Sequence, residues 1–295
     1  MAAPLRTPRR LLRSPIVRAL LVAFAIWNAV EVWYIRARLS KPERHRDRYG
    51  RPPRVYIASL HWNGEYLLKE YWNKAVLDVV DALGRENVFI SVYESGSWDN
   101  TPYYLRELDH QLEKAGVNRS ITIDATSHLD EMSVKPPEED RDGWVMTAEG
   151  TRKLRRVPFL AKLRNKSMQP YHDLAAQGVE FDTVIFLNDI VFTVSTRRGV
   201  LCRRTPADED IQAEDVLELL YTKDREYAAA CSLDFSKAPY FYDTFALRDS
   251  QGHEHAGQSW PYFRSSASRK AMKLGIPVPV SSCWNGMGWL SFALS

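Results

Sequence analysis

The chain has 295 residues, enough for one large domain or two, and its 14 Gly, 16 Pro and 26% charged residues exclude collagen and low-complexity classes. Three cysteines are too few for a disulfide scaffold, and no CxxC or paired Cys/His spacing marks a structural zinc site. The net charge of +3 averages two unlike parts: residues 1–54 hold 13 Lys/Arg against 3 Asp/Glu, and residues 55–295 hold 27 against 34, so the larger part is acidic and nucleic acid is not expected as a partner.

Arg6, Arg9, Arg10, Arg13 and Arg18 precede ALLVAFAIWNAVEVWYI, residues 19–35. As a helix this stretch rises about 25 Å, short but sufficient for a thin internal membrane. It ends in Trp33, Tyr34 and Ile35 rather than in a small-residue cleavage site, which predicts an uncleaved signal anchor with Trp33 and Tyr34 at the interface. Glu31 inside the span weighs against this, and a buried or amphipathic helix is the alternative. Five Lys/Arg before the span and eight in Arg36–Arg54 after it favour a cytosolic C-terminal side. Long domains translocate regardless of charge, so the side stays open. The expected organisation is a basic tail (1–18), the anchor (19–35), a basic stem with Pro42, Pro52 and Pro53 (36–54) and a folded domain (55–295).

In that domain VYIASL (55–60) predicts a strand. A helical pattern follows, with Leu67, Leu68, Tyr71, Trp72, Val76, Val79, Val80 and Leu83 on one face and Gly84 as its stop. NVFISVY (87–93) predicts a second strand, and Asp99 can cap a helix closed by Gly116. SITID (120–124) is a third strand, and residues 130–143 read as an acidic loop. A helical segment over 151–177 is expected to break at Pro158 and Pro170. DTVIFL (182–187), a short helix around 213–221 and YAAACSL (227–233) complete an alternation that predicts βαβ units and a mostly parallel sheet.

Open α/β sheets bind ligands at the carboxyl ends of their strands. Those ends carry Ser59-Leu60-His61-Trp62-Asn63, Glu94 through Asn100, Asn188-Asp189 and Asp234. Neither G-x-G-x-x-G nor G-x-x-x-x-G-K-[ST] is present, so a Gly-rich nest for phosphate is not expected. The common alternative is a divalent cation held by one or two carboxylates, a role that suits Asp189 in FLND; a turn cap is the plain alternative. Glu94 can accept from a ribose or base edge, or it is a solvated loop acid. His253-Glu254-His255 has metal-like content but lies in a loop, and Ser95-Gly96-Ser97 is not a nucleophile elbow. Of Cys202, Cys231 and Cys283, two can pair, although Cys231 inside a strand reads first as a small apolar core residue.

The segments ASLHWNGEYLLKEYWNKAVL, FISVYESGSWDNTPYYLRELDHQL, VIFLNDIVF, AAACSLDFSKAPYFYDTFALRD, WPYF and SSCWNGM resemble the fungal cryptococcal mannosyltransferase family, glycosyltransferase family 69, which also contains capsule-associated proteins. The resemblance runs from about Val55 to Met287. It implies a type II Golgi membrane protein with a lumenal GT-A-like α/β domain, a GDP-mannose donor, a mannoside or glycan acceptor, α-1,3-type transfer and a divalent cation, usually Mn²⁺. Carried over by position, it implies Asp189 as metal ligand, with Asn188, Glu94, Arg164 and Asn165 on the donor side. Asp234 and Asp243 then fall at the sugar and acceptor site. The acidic motif is N-D rather than a full D-x-D, and family members continue past CWNGM where this chain turns to GWLSFALS; a shortened C-terminus is the expectation. Two rivals are a non-catalytic polysaccharide assembly or export protein and a metal-dependent phosphoesterase. Of the two sequons, Asn118-Arg-Ser is the one expected to carry a glycan, since Asn165-Lys-Ser falls beside the implied donor site.

Overall fold

The computed structural model describes residues 15–39, 51–133, 143–190, 213–237, 240–242, 244–284 and 286–291. The chain divides into two compact units, Met1–Arg46 and Asp47–Ser295. In the first, helix α1 (Pro15–Leu39) contains the expected span of residues 19–35. Its side chains are described as far as Val30, and Leu20, Phe24, Trp27 and Val30 are all exposed. Among the described residues no helix is long and apolar enough to cross a membrane. Residues 40–50 of the expected stem lie outside the described residues.

The second unit is built on β1 (Val55–His61), which is buried almost throughout, the pattern of a strand covered on both faces. The period-two alternation of a strand sends Val55 and Ile57 to one face and Tyr56 and Ala58 to the other. A helical turn (Glu65–Leu67) and a π-helical turn (Leu68–Trp72) lead into α2 (Asn73–Leu83), which stops at Gly84. Leu68, Trp72, Val76, Val79 and Val80 pack beneath the Val55–Ile57 face, as their spacing predicts. Trp72 is fully buried, and burying a ring of that size contributes about 4–6 kcal/mol.

Next come β2 (Val88–Ser95), α3 (Thr101–Lys114), β3 (Asn118–Asp124) and α4 (His128–Ser133). A hairpin of β4 (Trp144–Met146) and β5 (Arg152–Leu154) precedes α5 (Arg156–Ala176) and β6 (Thr183–Leu187). Then follow α6 (Ala213–Tyr221), β7 (Ala229–Cys231), β8 (Phe235–Lys237), β9 (Tyr240–Phe241), β10 (Arg248–Asp249), α7 (Ser266–Leu274), β11 (Val280–Ser282) and β12 (Met287–Ser291).

The main sheet has the order β3-β2-β1-β6-β12-β7. Its strands β3, β2, β1 and β6 run parallel, while β12 lies antiparallel between β6 and β7. Residues of α2, α3 and α6 cover one face, and Met168 and Tyr171 of α5 cover the other. The mixed α/β class and the mostly parallel sheet are those the sequence predicts. The four parallel strands place their carboxyl ends along one edge, which is where the site forms.

Three expectations change. The segment read as broken at Pro158 and Pro170 is the single helix α5. Pro158 falls in its first turn, where a missing N–H costs no intrahelical bond. Phe159, Leu163 and Ser167, four apart, bury a stripe that carries the helix through Pro170. The apolar end Met287–Ser291, for which the sequence reading names no element, is a strand that enters the sheet between β6 and β7. Cys231 is not a lone core thiol: it forms a disulfide with Cys283, 52 residues on. Cys202 lies outside the described residues.

Candidate active site

At the carboxyl edge His61 of β1 stands opposite Glu94 of β2 in the parallel register. The loops that leave these two positions are tied to each other. Asn63 accepts the Trp98 N–H at 3.0 Å and donates its own N–H to Ser97 Oγ at 2.9 Å. Gly64 N–H donates to Thr101 Oγ1 at 2.7 Å, and Asn100 donates through N and Nδ2 to the Glu65 carboxylate at 3.1 and 3.0 Å. Asp99 accepts from Glu65 N–H at 3.0 Å and from Thr101 N–H at 2.9 Å, so one carboxylate serves the starts of two helical segments. Burial pushes its pKa up, but these donors outweigh it and hold the carboxyl below its ordinary value.

Glu94 is 1% exposed, and its Oε1 accepts from Ser97 N–H at 2.6 Å. Burial raises its pKa against the Ser97 hydrogen bonds that lower it. Gly96 turns the same loop at φ 58°, and a Cβ there would lie 2.5 Å from the Ser127 nitrogen, so only glycine fits. The network presents Trp62 and Trp98 edge to face, with ring centroids 5.3 Å apart. With Leu60, Phe159, Leu163 and Arg156 they line a cleft of about 360 Å³. Flat apolar walls with a cation among the lining residues suit a planar ring joined to an anion.

Beneath the edge, the Ser59 hydroxyl donates to the Leu187 carbonyl at 2.6 Å, so it accepts from His61 Nε2 at 2.9 Å. Nε2 therefore carries a proton, and Nδ1 is buried without a hydrogen-bond partner, which favours the neutral ring. Burial lowers its pKa to about 3.

Asp189 follows β6 at the same edge. Its residue surface is exposed, yet its carboxyl is crowded enough that burial raises its pKa, against the lowering fields of Arg164 and Arg156. Both arginines sit on α5, two turns apart, or about 12 Å along the axis. Arg164 is partly buried; burial lowers its pKa and the Asp189 charge opposes that. Its Cζ lies 5.1 Å from the centroid of the Trp284 ring. No ion pair joins Arg164 to Asp189 among the described residues, so acid and base face each other without closing.

Asp234 is held to this group through Gly286. The Gly286 N–H donates to Asp234 Oδ2, the Gly286 carbonyl accepts from Asn188 N–H at 2.9 Å, and Ser232 Oγ donates to Asp234 Oδ1 at 2.7 Å. A Cβ on Gly286 would lie 2.5 Å from Ile190 Cγ2, so the close approach of these loops requires glycine.

With this geometry in place, the family described as Cryptococcal mannosyltransferase 1 matches residues 54–203 and 207–294. The chain belongs to the cryptococcal mannosyltransferase family. No match is found among curated proteins. Among solved structures, the mannosyltransferase PcManGT from Pyrobaculum calidifontis, in complex with GDP-Man and Mn²⁺, is 15% identical over 58% of this chain and 38% of its own, with a TM-score of 0.27. Glucosyl-3-phosphoglycerate synthase from M. tuberculosis is 16% identical over 51% of this chain and 39% of its own, with a TM-score of 0.22. The chain thus spans under two fifths of the length of either.

Of the residues implied by this family in the sequence, the structure brings Arg164, Asn188, Asp189 and Asp234 together. Glu94 is buried behind the Trp98 loop, where it fixes that loop. Asn165 is exposed and lines a separate depression of about 390 Å³ with Tyr93, Thr122 and Lys166. In that depression Lys166 donates to Tyr93 Oη at 2.6 Å and to Asp124 at 3.3 Å. Asp243 lies outside the described residues. Among the described residues no group of three or more His, Cys, Asp or Glu is placed to hold a metal ion, the His253–His255 segment included. Sequence reasoning missed Arg156 and the part played by Trp284. Trp284 stood in the SSCWNGM segment, so a signal was there; Arg156 has none beyond its charge.

Proposed function

We propose that this member of the cryptococcal mannosyltransferase family moves mannose from GDP-mannose to a hydroxyl of a mannoside or glycan, in α-1,3-type linkage, on a GT-A-like domain. One observation carries the reading: Asp189, at the carboxyl end of the most apolar strand, faces Arg164 and Arg156 beside an aromatic cleft. A carboxylate in the field of two guanidinium groups, with no ion pair joining Asp189 to Arg164 among the described residues, suits a diphosphate and its counter-cation.

Asp189 offers a hard oxygen of the type Mn²⁺ and Mg²⁺ take, and such cations at nucleotide sites commonly use one or two carboxylates, with phosphate and water filling the remaining positions. A bound cation would stabilise negative charge on the departing GDP. The chain's own residues divide the rest of the work. Trp62 and Trp98 wall the base, with Glu94 and Asp99 fixing the loops that present them. Arg164 and Arg156 neutralise the phosphates through charge-assisted hydrogen bonds. Asp234 accepts one hydrogen bond on each oxygen among the described residues, and faces the acceptor side in this reading.

The Cys231–Cys283 disulfide supports a lumenal, oxidising compartment, as expected for a Golgi enzyme. The exposed apolar side chains of α1 as far as Val30 support an apolar contact for that helix; a type II anchor over residues 19–35 rests on the family reading, and the basic flanks do not favour its orientation. The test is GDP-mannose turnover with and without a mannoside acceptor. A transferase needs the acceptor, a phosphoesterase releases products without it, and an assembly or export protein turns over neither mixture.

A further inference from the structure

Arg164 reaches the site with an unusual set of partners. Its Nε is buried with no hydrogen-bond partner, and no carboxylate pairs with it among the described residues. Its contact is the Trp284 ring, 5.1 Å from the guanidinium carbon. Trp284 is itself fixed from three directions. Its ring packs on Phe186 of β6 with centroids 5.4 Å apart. The preceding residue, Cys283, is bonded to Cys231 at the end of β7. Two residues further on, Gly286 is hydrogen-bonded to both Asn188 and Asp234.

We propose that Trp284 is a positioning residue of the donor site: its ring is the platform that holds the Arg164 guanidinium beside Asp189, and the Cys231–Cys283 bond fixes that platform. The proposal rests on the donor-site reading above, in which Arg164 meets the diphosphate. The physical reason for a ring is the alternative it prevents. A guanidinium beside an accessible carboxylate collapses into a bidentate pair that occupies the donors of one and the acceptors of the other. An aromatic face attracts the same cation through its quadrupole and leaves the N–H groups available to an anion and the carboxylate available to a cation.

The experiment uses the full chain in detergent and two readouts. Phenylglyoxal modification of Arg164, followed by peptide mass spectrometry, reports how well the guanidinium is held and needs no ligand. Calorimetry with GDP and Mn²⁺ reports the donor site. Trp284→Ala, Trp284→Phe, Arg164→Ala and the double variant Trp284→Ala/Arg164→Ala are compared; Trp284→Leu, which fills the space without a ring, replaces the alanine variant if that does not fold. Loss of a partly desolvated cation–π contact predicts Arg164 modified about fivefold faster and GDP bound about tenfold more weakly in Trp284→Ala. Trp284→Phe stays near wild type, and the double variant binds GDP no more weakly than Arg164→Ala alone. Cys231→Ser, with Trp284 intact, shifts both readouts in the direction of Trp284→Ala. Unchanged Arg164 reactivity in Trp284→Ala, equal damage from Trp284→Phe, or additive losses in the double variant would overturn the proposal. Absence of GDP binding by the wild-type chain overturns the donor-site reading instead, and the Arg164 reactivities still decide whether the ring is the platform.

Discussion

Gly286 donates its backbone N–H to the carboxylate of Asp234 while its own carbonyl accepts from Asn188, so one residue without a side chain joins the loops after β6 and β7. A methyl group at this position would sit 2.7 Å from Ile190 Cδ1 and 3.0 Å from Asp234 Oδ2. Gly286→Ala is therefore expected to cost about 1–3 kcal/mol, the usual price of overpacking. Thermal denaturation should show a lower midpoint, and acceptor KM should rise because Asp234 is displaced. A midpoint and KM equal to wild type would show that the loops tolerate separation.

Asp99 is predicted to be worth more than an ordinary helix cap, because its two oxygens serve two helix starts. Loss of a single cap costs about 1 kcal/mol, so Asp99→Ala should lose about 2 kcal/mol in urea denaturation. Asp99→Asn, which keeps one acceptor, should lose about half of that. Donor affinity should fall in both, since the same contacts set the Trp62–Trp98 pair. Equal losses from the two substitutions would contradict the double cap.

His61 gives the fold a pH dependence of defined sign. Its folded pKa is about 3, and its ordinary value is 6.5. The unfolded chain binds this proton first as pH falls, so the stability from neutral His61 is complete above pH 6.5. It is lost towards pH 3 at up to about 1.4 kcal/mol per pH unit. Glu94, with a raised folded pKa, contributes the opposite slope above its own unfolded value. The difference between wild type and His61→Gln therefore isolates the histidine. Between pH 6.5 and 5 the variant's denaturation midpoint should vary less than that of wild type. Parallel profiles would mean that His61 titrates normally.

The edge positions were readable because each comes from a local pattern. The apolar runs over 55–60, 87–93 and 182–187 declare strands, and the polar residues directly after them declare the ligand edge. Gly84 and Gly116 declare helix ends. Asp189 followed from position alone. The unread features depend on partners distant in sequence. Trp62 and Trp98 meet only because Asn63, Asp99 and Asn100 tie two loops together. The pairing of Cys231 with Cys283 depends on β12 entering the sheet between β6 and β7, and Met287–Ser291 carries no alternation that announces a strand. Pro170 misled because sequence weighs one lost backbone bond without the packing of Leu163 and Ser167 that offsets it.

The Cys231–Cys283 bond closes a loop 52 residues apart in sequence, for which loop-closure entropy predicts about 4 kcal/mol of stabilisation. Cys231→Ser/Cys283→Ser should lower the denaturation midpoint accordingly and make it insensitive to reductant. Wild type should shift to the same value when reduced. A midpoint that reductant leaves unchanged in wild type would mean the bond contributes nothing to stability.

The central claim is that Asp189 holds a divalent cation for a nucleoside diphosphate, and calorimetry of GDP binding in Mn²⁺, in wild type and Asp189→Ala, tests it most directly. Burial raises the pKa of this carboxyl and no ion pair holds it among the described residues, so its removal should leave the denaturation midpoint at or above that of wild type. The account predicts that wild type binds GDP more tightly with Mn²⁺ than with chelator, and that Asp189→Ala loses this metal-dependent gain, a change of at least about tenfold or 1.4 kcal/mol. Equal GDP affinity in the two proteins, with Mn²⁺ strengthening both alike, would contradict it.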